Sequence, residues 1–192
     1  CANGMQGFEF LEGIPGTLGG ALRMNAGAMG WETFDVVEWV SFLMPDGKVK
    51  EIPGTDLNVG YRYCREAYDG VALRALLKSD GKSSHRAIRN AIDKLAKRRR
   101  VSQPSEASAG CIFRNPESGP GAGQLIDNAG LKGWTVGGAK ISELHGNFIV
   151  NESNATTADV LELVHTIEEK IFSQTGIRLD REVILACQEK SR

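Results

Sequence analysis

Gly13, Gly16, Gly19 and Gly20 follow one another at G-x-x-G-x-x-G-G spacing near the start of the chain. Residues without a side chain let a diphosphate approach backbone N–H groups near a helix start, where the peptide dipole favours an anion. Pro15 stiffens such a loop by fixing its own φ. The spacing is not the G-x-G-x-x-G of a dinucleotide-binding turn, and a tight structural turn explains it equally well. Arg62 offers a permanent cation with a planar donor fork, suited to a carboxylate or to developing negative charge. Beside Tyr61 in a polar stretch it reads equally as a surface arginine. Cys111 brings a thiol with a reference pKa of about 8.5, a far better acid than a hydroxyl. A lone cysteine is otherwise a small buried hydrophobe. Glu182 stands in an apolar run beside Val183 and Ile184. A carboxylate partly buried there needs a partner, supplied by a site or by a structural ion pair with an arginine.

These groups need a scaffold, and 192 residues suffice for one large domain or two small ones. The 41% hydrophobic and 24% charged fractions are ordinary for a globular protein. A net charge of −1 gives no field that recruits nucleic acid or a membrane surface. No apolar run approaches membrane-spanning length. The four cysteines are far apart and the three histidines lack ligand spacing, so neither a disulfide framework nor a metal site is expected. A reducing cytoplasm is the default location. The chain begins at Cys1 and reads as a piece of a longer protein.

Thr17–Met24 suits a short helix of small residues. VVEWVSFLMPDGKVKEI reads as a hairpin turning at Pro45-Asp46-Gly47. Leu57–Asp69 is a polar, aromatic loop and Val71–Lys78 a strand. Ser83–Arg100 carries Ile88, Ala91, Ile92 and Leu95 at helical spacing. Its Lys97-Arg98-Arg99-Arg100 end is a solvated last turn that suits the helix dipole, in preference to a nucleic-acid patch. Gln103-Pro104 breaks that helix and divides the chain into 1–103 and 104–192. Gly146–Asn151 is a strand. Thr156 with Asp159 forms a capping box that opens a helix to about Ser173, buried along Val160, Val164, Ile167 and Ile171, with Gly176 beyond it. Ile177–Cys187 is a last strand. Strands and helices alternate but also form a hairpin, which makes the fold class α+β.

The block GFEFLEGIPGTLGGALRMNAGAMG resembles the flavin-contacting loop of UDP-N-acetylenolpyruvoylglucosamine reductases. The likeness continues in order through Tyr61-Arg62, SAGCIFRNP at Ser108–Pro116 and GQLIDNAGLKG at Gly123–Gly133. It runs on through GGAKISELHGNFIVN at Gly137–Asn151 and DREV at Asp180–Val183. Several motifs in register are far more specific than one Gly loop.

The resemblance implies the C-terminal part of a vanillyl-alcohol-oxidase-type FAD-binding domain, followed by a small α/β substrate-binding domain. It implies FAD as cofactor, NADPH as co-substrate and UDP-N-acetylglucosamine enolpyruvate as substrate, with the family's N-terminal flavin-binding segment outside this chain. Gly13, Ile14, Pro15, Gly16, Thr17, Gly19, Gly20 and Asn25 would contact the cofactor. Arg62, Cys111 and Glu182 would be catalytic, with Cys111 at the family's proton-donor serine and Glu182 on the strand at about 178–188. Tyr61, Arg114, Asn115, Gln124 and His145 would bind substrate, with Asn147 a weaker candidate. His145 is equally explained as a structural histidine. Ser102 and Thr135 stand where many relatives have lysine and arginine, so Lys132, Lys140 or Arg114 must replace the lost charge at a diphosphate. Two other readings remain open: a different flavoprotein oxidase of the same architecture, and a binding module without turnover. The sequence sets no oligomeric state.

Overall fold

A computed structural model describes residues 3–185. The chain is α+β and divides into two compact units, Cys1–Arg98 and Arg99–Arg192. The first unit contains strands β1 (Met5–Gln6), β2 (Gly27–Ala28), β3 (Trp31–Glu32), β4 (Val37–Leu43), β5 (Val49–Pro53), β6 (Val59–Gly60), β7 (Tyr63–Cys64), β8 (Val71–Leu77) and β9 (Gly81–Lys82). Its helices are α1 (Leu18–Met24), α2 (Arg65–Asp69) and most of α3 (His85–Ser102). Strand β4 lies between β5 and β8 in an antiparallel sheet. The β4–β5 hairpin turns where expected: Gly47 takes φ 78° and donates to the Met44 carbonyl at 2.9 Å. Asp46 accepts from the Lys48 N–H at 3.1 Å, the local bond that favours aspartate in turns. Leu22, Val40, Phe42, Leu57 and Cys64 form the core beneath this sheet.

Two local readings are corrected here. The stretch expected to be a loop at Leu57–Asp69 contains the β6–β7 hairpin and helix α2. Strands of two residues are too short to show an alternating pattern. Helix α3 runs from His85 to Ser102, past Arg100, and stops just before Gln103-Pro104. Ile88 and Ile92 are its buried residues.

The second unit contains β10 (Ser108–Cys111), α4 (Ala122–Asn128), β11 (Thr135–Val136), β12 (Ala139–Ile141), β13 (Phe148–Asn151) and α5 (Thr157–Thr175). Its sheet runs β10-β13-β12-β11, every pair antiparallel. Ile112, Ile141 and Ile149 from the sheet side meet Leu125 and Ile126 of α4 and Leu163, Ile167 and Ile171 of α5 in one core. Each such side chain stabilises the fold by about 1.5–3 kcal/mol when fully buried. Thr156 and Asp159 form the expected capping box, and Gly176 ends α5 at φ 73°. Asp159 also accepts from the Gly138 N–H at 3.1 Å, so the same carboxylate pins the β11–β12 turn.

The expected last strand is not one over its described part. Among residues 177–185 the only ladder contact is an isolated antiparallel bridge between Phe113 and Arg181. Apolar composition suggested a strand; a paired neighbour long enough to make one is missing here. Ala186 and Cys187 lie outside the described residues. No helix among the described residues is long and apolar enough to cross a membrane. None of the described His, Cys, Asp and Glu side chains cluster in threes able to hold a metal.

Candidate active site

In the first unit, the Gly-rich loop runs into α1. Thr17 caps that helix by accepting from the Gly20 N–H at 3.2 Å. Gly13 and Gly16 take φ 74° and 120°, which L side chains avoid. A Cβ at Gly16 would meet nothing within 4 Å, so that glycine serves backbone conformation and faces open space. Ile14, Pro15, Gly16, Thr17 and Gly20 line one cleft of about 430 Å³, together with Leu18 and Met24. That size lies within the range of small-molecule sites. An apolar wall beside a side-chain-free turn suits the edge of a flavin nucleotide, so the residues fit part of that group.

Asn25 does not belong to this cleft. It is buried at 1% exposure in a left-handed conformation at the end of α1. Its Nδ2 donates to Glu32 and to the Gly60 carbonyl, and its Oδ1 accepts from the Phe34 N–H. This amide joins α1 to the hairpin that carries Tyr61-Arg62, outside the lining of the cleft. Gly60 pairs with Tyr63 across that hairpin, and Arg62 at its tip takes φ 54°. Left-handed backbone costs a non-glycine residue about 1–2 kcal/mol, and such strain concentrates at functional sites. The Arg62 guanidinium lies 4.8 Å from the centroid of the exposed Tyr61 ring. Arg23 adds a second tie between α1 and this region, donating to the Ala67 carbonyl at 3.0 Å and covering Tyr68 at 3.9 Å.

In the second unit, Cys111 ends β10 just after a bulge, where Gly110 takes φ 82°. A bulge bends its strand and re-aims the next side chains. Cys111 is half-buried, with its thiol free of any disulfide. The following backbone is held from two sides. On one side, Ile112 donates to the Asn147 carbonyl at 2.9 Å. Asn147's side chain then takes both main-chain groups of Phe113, accepting its N–H at 2.9 Å and donating to its C=O at 2.8 Å. On the other side, Arg114 donates to the Asp180 carbonyl and Glu182 donates to the Ile112 carbonyl, both at 2.8 Å. Cys111 and Glu182 therefore lie on adjoining backbones, with Ile112 joining them. Asn147 is a structural clamp, which its residue type alone did not reveal.

Asn115, Gln124 and His145 gather around the start of α4. Asn115 Oδ1 accepts from the Ala122 N–H at 3.0 Å, and its Nδ2 has no partner among the described residues. A Cβ at Gly121 would lie 2.9 Å from that Oδ1, and one at Gly123 2.9 Å from His145 Cε1. A side chain at either glycine would make Asn115 or His145 shift. His145 is half-buried, and its Nδ1 accepts from the Asn147 N–H at 3.2 Å, which assigns the neutral ring's proton to Nε2. Burial, with the Lys132 charge adding to it, keeps its pKa below the usual value. Gln124 is exposed in the first turn of α4, and Arg114 is exposed with no side-chain partner among the described residues. Of the other proposed replacement cations, Lys132 pairs with Asp127 at 2.6 Å. Lys140 pairs with Glu143 and Glu152 at 2.9 and 3.1 Å. Arg114 is left as the uncommitted charge of the three.

Residues 103–186 match the sequence model of the UDP-N-acetylenolpyruvoylglucosamine reductase C-terminal domain, and residues 2–53 match that of an FAD-binding domain. A UDP-N-acetylenolpyruvoylglucosamine reductase of Heliobacterium modesticaldum is 41% identical over 182 residues, covering 94% of this chain and 58% of that protein. The same enzyme of Anoxybacillus flavithermus is 43% identical, covering 94% and 60%. The solved structure of the Thermus caldophilus UDP-N-acetylenolpyruvylglucosamine reductase superposes with a TM-score of 0.81 at 39% identity, covering 96% of this chain and 66% of that one. The chain spans about three fifths of the length of the curated relatives it matches.

Proposed function

The chain belongs to the UDP-N-acetylenolpyruvoylglucosamine reductase family, and we propose that at full gene length it reduces UDP-N-acetylglucosamine enolpyruvate to UDP-N-acetylmuramate for peptidoglycan precursors. The observation that carries this reading is the joining of Cys111 and Glu182 through the Ile112 carbonyl, which puts a thiol and a carboxylate on adjoining backbones.

FAD, when bound, would supply the hydride to the enolpyruvyl methylene carbon and draw it from NADPH. The residues of the open cleft from Ile14 to Met24 would hold part of that cofactor. Addition at the methylene carbon leaves negative charge on the adjacent carbon and its carboxylate. Arg62 is assigned to offset that charge, since its fork stays protonated throughout. Cys111 gives its proton to the adjacent carbon. A thiol is a stronger acid than the serine hydroxyl of the family pattern, so this transfer needs less help from neighbours. Glu182 is the second acid–base group of the pair. Asn115, Gln124 and His145 at the start of α4, with Arg114 and Tyr61, bind the nucleotide sugar. Cys64 and Cys111 are not in disulfides, which fits a reducing cytoplasm.

The protein at full gene length, loaded with FAD, should consume NADPH only when UDP-N-acetylglucosamine enolpyruvate is added. A flavin-loaded protein whose NADPH absorbance ignores the UDP-sugar would overturn the reading. Nucleotide-sugar binding by calorimetry without that consumption would identify a binding module instead.

A further inference from the structure

We propose that Glu168 and Arg181 are positioning residues that set the register of Glu182; the proposal rests on the catalytic reading of Glu182 above. The segment that carries Glu182 has little structure of its own. Its backbone is tied to the Cys111 strand by the Arg114–Asp180 and Glu182–Ile112 hydrogen bonds and by the single Phe113–Arg181 bridge. One bridge is a weak specification of register, and a slip of one residue moves every side chain to the opposite face.

The missing constraint comes from the neighbouring helix. Arg181 reaches α5, where its Nε and Nη2 lie 2.6 and 2.7 Å from the two carboxylate oxygens of Glu168. Two parallel charge-assisted bonds fix the plane of the guanidinium as well as its distance. The backbone that carries Glu168 is fixed, because the preceding Ile167 is fully buried in the core. His165, one turn earlier, stands 3.9 Å from Glu168 and 3.2 Å from Glu169. Adjacent side chains of an extended segment leave on opposite sides. Holding Arg181 onto α5 therefore turns Glu182 away from that helix, and a slipped register would break the fork.

An ordinary surface ion pair contributes little to stability and nothing to chemistry. The two roles separate in experiment. In the FAD-loaded protein at full gene length, Glu168→Gln should lower kcat between about tenfold and 10²-fold, the scale of a small misplacement, while KM for NADPH stays put. In a Glu182→Gln background the same change should have no further effect, because the pair acts through Glu182. Arg181→Lys, which keeps the charge but not the fork, should not restore kcat. Amide exchange gives a readout independent of turnover: the Glu182 N–H should exchange at least about tenfold faster in Glu168→Gln. Unchanged exchange, unchanged kcat, or full additivity with Glu182→Gln would each overturn the proposal. Failure of the unmodified protein to turn over the UDP-sugar would overturn the catalytic reading and this proposal's catalytic half, while exchange would still decide the tether.

Discussion

The two units use opposite means to hold the residues proposed to act. The first places them on turns: Gly13, Gly16 and Arg62 all have left-handed backbone, and the buried amide of Asn25 ties the end of α1 to the Arg62 hairpin. The second places them beside a sheet packed on two helices, and grips the backbone next to Cys111 with Asn147 and the Asp180–Glu182 segment. Conformation is the scarce resource in the first unit, and long-range pairing is in the second. Substitutions should therefore damage the two in different ways.

The largest expected effect is chemical. Cys111→Ala should lower turnover by about 10²–10⁴-fold, the contribution of a positioned proton donor, while Cys111→Ser keeps substantial activity. Near-normal product formation by the alanine variant would remove Cys111 from the mechanism. Next comes the clamp. Asn147→Ala leaves both main-chain groups of Phe113 to find other partners, at about 1–3 kcal/mol for each group left unsatisfied. Urea unfolding should show that loss in the second unit, and an unchanged midpoint would show that the clamp is dispensable. A smaller loss, about 1 kcal/mol, is expected for Thr156→Ala at the start of α5. Its partner Asp159 has its pKa held below the usual carboxylate value by the Thr156 and Gly138 N–H groups. That contribution is complete above the unfolded pKa and is lost as pH falls through the lower folded one. Acid unfolding of Asp159→Asn should accordingly be less steep than that of the parent protein. The smallest effect on stability falls in the first unit. Arg62→Gly should relieve up to about 1 kcal/mol of backbone strain while removing the cation. The variant should turn over more slowly, and unchanged turnover would remove Arg62 from the mechanism; its melting point weighs the strain relieved against the contacts of Arg62 that are lost.

Local signals were legible in the sequence. Thr156 with Asp159, Pro45-Asp46-Gly47 and the Ile88–Ile92 spacing each place their own dihedrals and hydrogen bonds within a few residues. What could not be read lies in pairing at a distance. The run at Ile177 has the composition of a strand, yet whether it becomes one depends on a partner far away in the chain. The clamp of Asn147 and the join made by Asn25 belong to the same class, since an asparagine's sequence neighbours do not say which backbone its amide will meet. The fork from Arg181 to Glu168 spans residues that no local pattern links. A clue lay in the charge alone: Arg181 stands beside a partly buried carboxylate, and α5 offers several carboxylates as counterions.

The Asn147 clamp has a consequence for how this protein could have changed over time. It takes hold of main-chain atoms of Phe113, next to the strand end, and asks nothing of the side chain at position 111. Backbone support of that kind makes the position an exchangeable slot. The clamp itself accepts either a thiol or a hydroxyl there, and each exchange tunes acidity and oxidant sensitivity. A lineage facing more oxidant would be free to drift towards serine, and one needing a stronger acid towards cysteine.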